Sequence, residues 1–209
     1  MTKRAIATAA GLVAFVSPAA AQEGPYVAGA VGYTFSDSID SSIGLEASIE
    51  EGYSVLGAVG YDTEGVRVEL EGSYRASSVG EARAAGLTVE GDGEVSALSA
   101  MANVYFDPAF QLGPFQPYIG AGAGISRFKA EEVEAVGIPG LGPVSASETG
   151  FAYQFMAGAS WRLSEQATLT AGYRYFATPS IEATIDPLGD TEIDGLALHS
   201  VEIGIRSRF

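Results

Sequence analysis

Residues 66–75 read Val-Arg-Val-Glu-Leu-Glu-Gly-Ser-Tyr-Arg, and the two faces of that stretch are chemically opposite. Val66, Val68, Leu70 and Tyr74 share one face with Gly72, while Arg67, Glu69, Glu71, Ser73 and Arg75 share the other. A two-residue period is that of a β-strand, because successive side chains point to opposite sides of the backbone. Such a strand needs apolar surroundings on one side and polar surroundings on the other. In a soluble sandwich the valines form the core and the charges meet water; in a membrane barrel the valines meet lipid and the charges face inward. The rest of the chain decides between these.

The N-terminus indicates export. Thr2, Lys3 and Arg4 form a short basic segment, residues 5–16 are an apolar run, Pro18 breaks it, and Ala19, Ala20 and Ala21 are the small residues a signal peptidase requires. Residues 1–21 are therefore expected to be a signal peptide cleaved before Gln22, leaving 22–209 as one domain. The apolar run falls short of the roughly 20 residues a spanning helix needs, and no later stretch is longer and apolar. The chain has no cysteine, so a secreted form holds together by backbone pairing and packing alone. Net charge is −15, and loss of Lys3 and Arg4 with the signal takes it to −17. That charge excludes nucleic acid as a partner, since phosphate binding needs a basic face.

Alternation recurs along the whole mature chain. Strands are expected at 26–35, 52–61, 66–75, 95–106, 117–128, 151–163, 167–176 and 198–209. Eight is an even number, and most are about the 9 to 11 residues of a tilted transmembrane strand. The 27 glycines, 10 tyrosines and 10 phenylalanines suit short strands joined by tight turns. The links at 62–65, 107–116 and 164–166 are short, whereas 36–51, 76–93, 129–149 and 177–195 are long, polar and acidic. All short links therefore fall on one rim and all long ones on the other, the asymmetry of an outer-membrane barrel. Tyr26, Tyr61, Tyr105, Phe106, Phe115, Trp161 and Phe209 fall near the turn end; Tyr33, Phe35, Tyr53, Tyr74, Phe128, Phe151, Tyr173 and Tyr175 fall near the loop end. Two aromatic belts at the two bilayer interfaces are expected from that distribution. The expected fold is an all-β, eight-stranded antiparallel up-and-down transmembrane β-barrel with short periplasmic turns and long extracellular loops, in the outer membrane of a Gram-negative bacterium.

The interior of an eight-stranded barrel is just wide enough for side chains to fill, and charges there are tolerated only when paired. The inward faces offer Arg67, Glu69, Glu71, Arg75, Arg162, Arg174, Glu202 and Arg206 as a barrel-interior ion network, with Arg208 beside them. Glu69, Glu71 and Glu202 lie near mid-strand and are expected at its centre. Neutralising Glu69 or Glu202 is expected to leave an arginine under-compensated. Arg127 stays unassigned, because its glycine-rich strand does not settle its facing.

Three stretches carry a family resemblance: Tyr26-Val27-Ala28-Gly29-Ala30-Val31-Gly32-Tyr33, then Pro117-Tyr118-Ile119-Gly120-Ala121-Gly122, and the terminal pattern Val201, Ile203, Ile205, Phe209. With them the mature chain resembles the eight-stranded outer-membrane barrels of the OmpA-like and opacity-type surface-antigen group. The terminal pattern is similar to the signal such barrels present to the outer-membrane barrel assembly machinery, although Ser207 stands where an apolar or aromatic residue is more usual. The resemblance implies a structural, surface-exposed, porin-like protein with at most minor pore activity, surrounded by outer-membrane lipid and lipopolysaccharide. With no peptidoglycan-binding domain after Phe209, the wall anchoring of full-length OmpA-type proteins is not expected.

Other motifs point to no catalytic, cofactor or metal site. Gly120-Ala121-Gly122-Ala123-Gly124 lacks the spacing and following helix of a nucleotide loop and reads as small residues that let strands pack. His199, the only histidine, has no second imidazole or thiol to complete a metal site. It faces outward with Val201, in a girdle position. Two alternatives stay open. One is a lipid A-modifying enzyme with His199 as its base, for which no serine can be assigned; the other is a soluble ligand-binding barrel. The long links concentrate acids, among them Asp37, Asp40, Glu81, Glu131, Glu182 and Asp190, opposed only by Arg83 and Lys129. Divalent cations shared with lipopolysaccharide phosphates are the sharper reading of those acids, and simple solubility the blander one.

Overall fold

The computed structural model describes residues 23–36, 39–40, 45–63, 65–84, 87–135, 144–179, 181–185, 189–193 and 197–209. The expected signal peptide lies outside them. Eight long strands run in chain order: β1 (Gly24–Ser36), β2 (Leu45–Thr63), β3 (Val66–Ala84), β4 (Leu87–Phe106), β5 (Phe115–Ala135), β6 (Val144–Arg162), β7 (Ala167–Ala177) and β8 (Ala197–Arg208). Each pairs antiparallel with its sequence neighbours, and β1 pairs with both β2 and β8, so the sheet closes into an up-and-down barrel. Ile39–Asp40 adds a short pairing onto β2, and Ile181–Ile185 with Gly189–Ile193 forms a separate hairpin in the fourth long link.

The register sets the strand tilt. Paired residues lead from Tyr26 to Gly60, Glu69, Asn103, Gly122, Gln154, Phe176 and Leu198, and the circuit returns to β1 at Ser36, ten residues from its start. For eight strands with ordinary β spacings, that stagger corresponds to a tilt of about 40° from the barrel axis. Directly opposed residues share a face, so the residues of this circuit from Tyr26 to Leu198 point inward.

Alternation places the apolar set outside. Val31, Val55, Leu70, Leu98, Val104, Ile119, Ile125, Val201 and Ile203 are exposed on the outer wall. Tyr61, Phe106, Phe115 and Trp161 border that zone at the turn end, and Tyr33, Tyr53, Tyr74, Phe151 and Tyr173 border it at the loop end. So large a continuous apolar surface is stable only against lipid or a partner.

Two expectations need correction. Tyr26, Tyr105 and Phe128 do not join the belts: Tyr26 and Tyr105 are buried in the lumen, and Phe128 packs inward against Phe176, with ring centroids 6.4 Å apart. The strands also run well past the expected ends, since much of 76–93 is paired β3–β4 hairpin and the first and third long links contribute to β2, β5 and β6. Register shifts at Ser78/Glu81 and Asp92/Glu94 mark where the extended hairpins lose regularity. Backbone pairing alone extends these strands and requires no apolar face.

Candidate functional site

The site is the lumen itself, built by inward residues of all eight strands. At its centre Arg174 on β7 donates from Nη1 to both oxygens of Glu71 on β3, at 2.9 and 3.1 Å, and from Nε to Glu202 on β8 at 2.9 Å. Glu71 also accepts from Asn103 Nδ2 at 2.9 Å, while Gln154 donates to Asn103 Oδ1 at 2.7 Å. One guanidinium thus lies between two carboxylates, with the amides of Asn103 and Gln154 also donating to Glu71. That is the geometry in which a buried charge is tolerated.

Below this centre, toward the turn end, Arg67 donates to both oxygens of Asp107 at 2.6 and 3.1 Å and lies 4.4 Å from the centroid of the Tyr105 ring. The Tyr26 hydroxyl donates to Glu69 at 2.5 Å, and Arg67 reaches the same carboxylate oxygen at 3.4 Å. Arg208 pairs with Asp62, and Arg206 stands 4.0 Å from the same carboxylate. Above the centre the chemistry changes. Met101, Ala152, Phe176 and Leu198 form an apolar cluster across the lumen, and the Arg75 guanidinium carbon stands over Phe176, 4.2 Å from the ring centroid. Hydroxyl pairs Thr34–Ser200 at 3.0 Å and Ser99–Ser126 at 2.8 Å flank that cluster.

Inward glycines make room for this filling. Met101, Asn103 and Tyr105 on β4 stand directly opposite Gly124, Gly122 and Gly120 on β5. A Cβ at Gly120 would lie 2.5 Å from the Tyr105 ring, and one at Gly60 would lie 2.5 Å from the Tyr26 ring. The glycine run therefore accommodates bulky lumen side chains and also lets the strands approach closely, since a Cβ at Gly124 would fall well inside contact distance of the Ala100 carbonyl oxygen on β4.

Of the residues expected in the ion network, Arg67, Glu69, Glu71, Arg174 and Glu202 meet in ion pairs, and Arg206 lies near Asp62. Arg75 is buried beside them, yet its Nε and Nη2 have no hydrogen-bond partner; Nη1 donates to Ser73 at 2.9 Å. Arg162 ends β6, is exposed at the turn-end mouth and takes no ion-pair partner among the described residues. Asp62 and Asp107, treated as link residues from sequence, are the missing counter-charges. Both continue the inward parity of their strands, Ala58-Gly60-Asp62 and Asn103-Tyr105-Asp107, which is the signal that could have found them. With them, inward Asp62, Glu69, Glu71, Asp107 and Glu202 face Arg67, Arg75, Arg174, Arg206 and Arg208.

The outer wall carries few polar groups. Arg127 and Lys129 face outward on β5, exposed beyond the Ile125–Phe151 pair, and Arg127 Nε donates to Ser147 at 3.1 Å. His199 also faces outward, stacked on Phe35 at 5.6 Å between Tyr173 and Tyr175 and bonded through Nδ1 to the Tyr173 hydroxyl. Among the described residues no three His, Cys, Asp or Glu side chains are placed to hold a metal. The side chains of the acids expected to attract divalent cations lie, Glu51 excepted, outside those described.

The family model described as "Outer membrane protein beta-barrel domain" matches residues 6–209. Uncharacterised proteins of Brucella abortus and Brucella suis are 29% identical over 142 residues, covering 57% of this chain and 50% of theirs. The chain thus spans about half the length of the curated relatives it matches. Among solved structures, Neisserial surface protein A has a TM-score of 0.56 at 21% identity, covering 89% of this chain and 97% of that one. The outer membrane protein OprG from Pseudomonas aeruginosa has a TM-score of 0.54 at 15% identity, with the same two coverages. At these identities the likeness concerns the fold alone.

Proposed function

This chain belongs to the outer membrane protein β-barrel domain family, and on that premise we propose that it is a surface-exposed structural protein of the Gram-negative outer membrane whose plugged lumen passes at most a minor flux of solutes. The observation that carries this reading is the side-chain filling of the lumen: the Glu71–Arg174–Glu202 bridge and the Met101, Phe176, Leu198 cluster occupy it in successive layers. A porin keeps a wide, hydrated, polar passage, which eight strands do not enclose.

Orientation follows from the rims, with the short turns in the periplasm and the long hairpins outside. Lipopolysaccharide is the proposed neighbour at the loop end. In support, Arg127 and Lys129 are the outward-facing cations among the described residues, one strand step beyond the aromatic border where headgroup phosphates lie. Val201, Ile203 and Ile205 on the outer face of β8, with Phe209 after it, are proposed as the pattern read by the barrel assembly machinery. The acidic long links are proposed to share divalent cations with lipopolysaccharide phosphates.

Membrane fractionation, followed by electrophoresis of unheated and boiled samples and by planar-bilayer recording, tests the reading. Expected are an outer-membrane fraction, a heat-dependent mobility shift and conductance that is small or absent. Large, steady, porin-like channels would overturn the plugged lumen, and a soluble periplasmic protein without a mobility shift would overturn the location.

A further inference from the structure

Below the ion network the barrel opens at its turn end into a cavity of about 490 Å³ lined by Asp62, Asp107, Arg162, Arg206, Arg208 and Thr168, among others. Its charges do not balance. Asp107 gives both oxygens to Arg67, and Asp62 is held by Arg208. Arg206 stands over the Tyr26 ring at 5.2 Å and has, among the described residues, only the distant side of that shared carboxylate as counter-charge, 4.0 Å from Nη1 and not hydrogen-bonded to it. Its Nε and Nη1 are buried without a partner although the residue is only 6% exposed, and Arg208 Nε is likewise unsatisfied. Arg162 adds a further cation at the rim of the same cavity.

Among the described residues Arg206, buried, and Arg162, at the rim, thus lack a hydrogen-bonded counter-charge at this vestibule, and in the turn-end half of the lumen Arg67, Arg162, Arg206 and Arg208 outnumber Asp62, Glu69 and Asp107 by one, in a chain of net charge −15. A buried cation without a counter-charge is strongly unfavourable, and unsatisfied N–H donors add to the penalty. Guanidinium forks match the planar or tetrahedral oxygens of carboxylates and phosphates, and charge-assisted contacts of this kind are about twice as strong as neutral ones.

We propose that this vestibule binds a small oxyanion, phosphate or a short dicarboxylate, held by Arg206 with Arg162 and Arg208. The site opens toward the turns, and the plug above it closes the way to the loops, so the geometry serves binding rather than passage. Binding at this vestibule is independent of the membrane that surrounds the barrel and goes beyond the surface role.

The test is calorimetric titration of the purified, folded barrel in detergent with inorganic phosphate and with succinate, each against chloride at equal ionic strength. Saturable binding of phosphate or succinate at one site is expected, and which of them binds identifies the geometry the site prefers. Arg206→Gln and Arg162→Gln should each weaken it about tenfold or more, the range for losing a hydrogen bond to a charged group. Arg127→Gln, at the opposite end and outside the wall, should leave it unchanged. Because Arg206 is buried, its variant is first checked for the heat-dependent mobility of the folded barrel; Arg162 is exposed and its replacement leaves the fold in place. Neither anion binding better than chloride overturns the proposal. So does an Arg162→Gln variant that binds as tightly as the parent, or an Arg127→Gln variant weakened as much as Arg162→Gln.

Discussion

Glu71→Gln removes one negative charge from the most enclosed ion cluster and keeps the side-chain shape. The Glu71 side chain is 1% exposed and that of Arg174 is 4%. In the parent, Arg75 and Arg174 are balanced by Glu71 and Glu202; in the variant two guanidinium groups share the single charge of Glu202. Breaking a buried pair by removing one partner typically costs about 3 to 5 kcal/mol, and Arg75, with two unsatisfied nitrogens of its own, cannot relieve it. Glu202→Gln should cost less, because that carboxylate makes one 2.9 Å contact and its side chain is 11% exposed. Glu69→Gln should cost less again, since Arg67 keeps both oxygens of Asp107. Urea titration in lipid vesicles, under conditions where folding reverses, measures all three. A double-mutant cycle with Arg174→Gln should show coupling of about 2 kcal/mol, within the range for residues in direct contact. A Glu71→Gln loss below about 1 kcal/mol, or additive single and double variants, would refute the reasoning, because a hydrated lumen would then be screening the pair.

Tyr26→Phe deletes the 2.5 Å donation to Glu69 and should destabilise the barrel by about 1.5 to 3 kcal/mol, as for hydrogen bonds to charged groups; the same urea titration reads it. Gly120→Val should lower stability by about 1 to 3 kcal/mol through overpacking against Tyr105, and Tyr105→Ala in the same chain should restore part of it. Gly72→Val on the open outer face, with nothing near the added Cβ, should be neutral or stabilising, so equal losses at the two glycines would contradict the assigned facing. Phe176→Ala combined with Leu198→Ala removes the apolar layer and should raise single-channel conductance if that layer closes the lumen; unchanged conductance would assign closure to the ion bridge alone. Millimolar Ca²⁺ should protect the long links from protease in lipopolysaccharide membranes more than NaCl of equal ionic strength does; equal protection leaves only screening.

Period-two alternation, sorted link lengths and an outward apolar set were enough to define the barrel, because each is a local property with one physical solution: a strand with lipid on one side has to close on itself. The inward parity of Arg67, Glu69, Glu71, Arg174 and Glu202 was legible for the same reason. Which acid meets which arginine was not. Glu71 and Arg174 are far apart in the chain and meet only because the ten-residue stagger brings β7 across the lumen from β3. The facing of Tyr26, Tyr105 and Phe128 was misread because an aromatic near a strand end suits either environment; the deciding partners, Glu69, Gly120 and Phe176, lie on other strands. Asp62 and Asp107 looked like turn residues because a carboxylate within a few residues of a Gly or Pro, here Gly65 and Pro108, usually is one. Closure of the barrel supplied the arginines that draw them inward, and with them the buried Arg206 that no acid among the described residues reaches within hydrogen-bond distance at the turn-end mouth. Pairing across a lumen depends on register, and register is a property of the closed sheet.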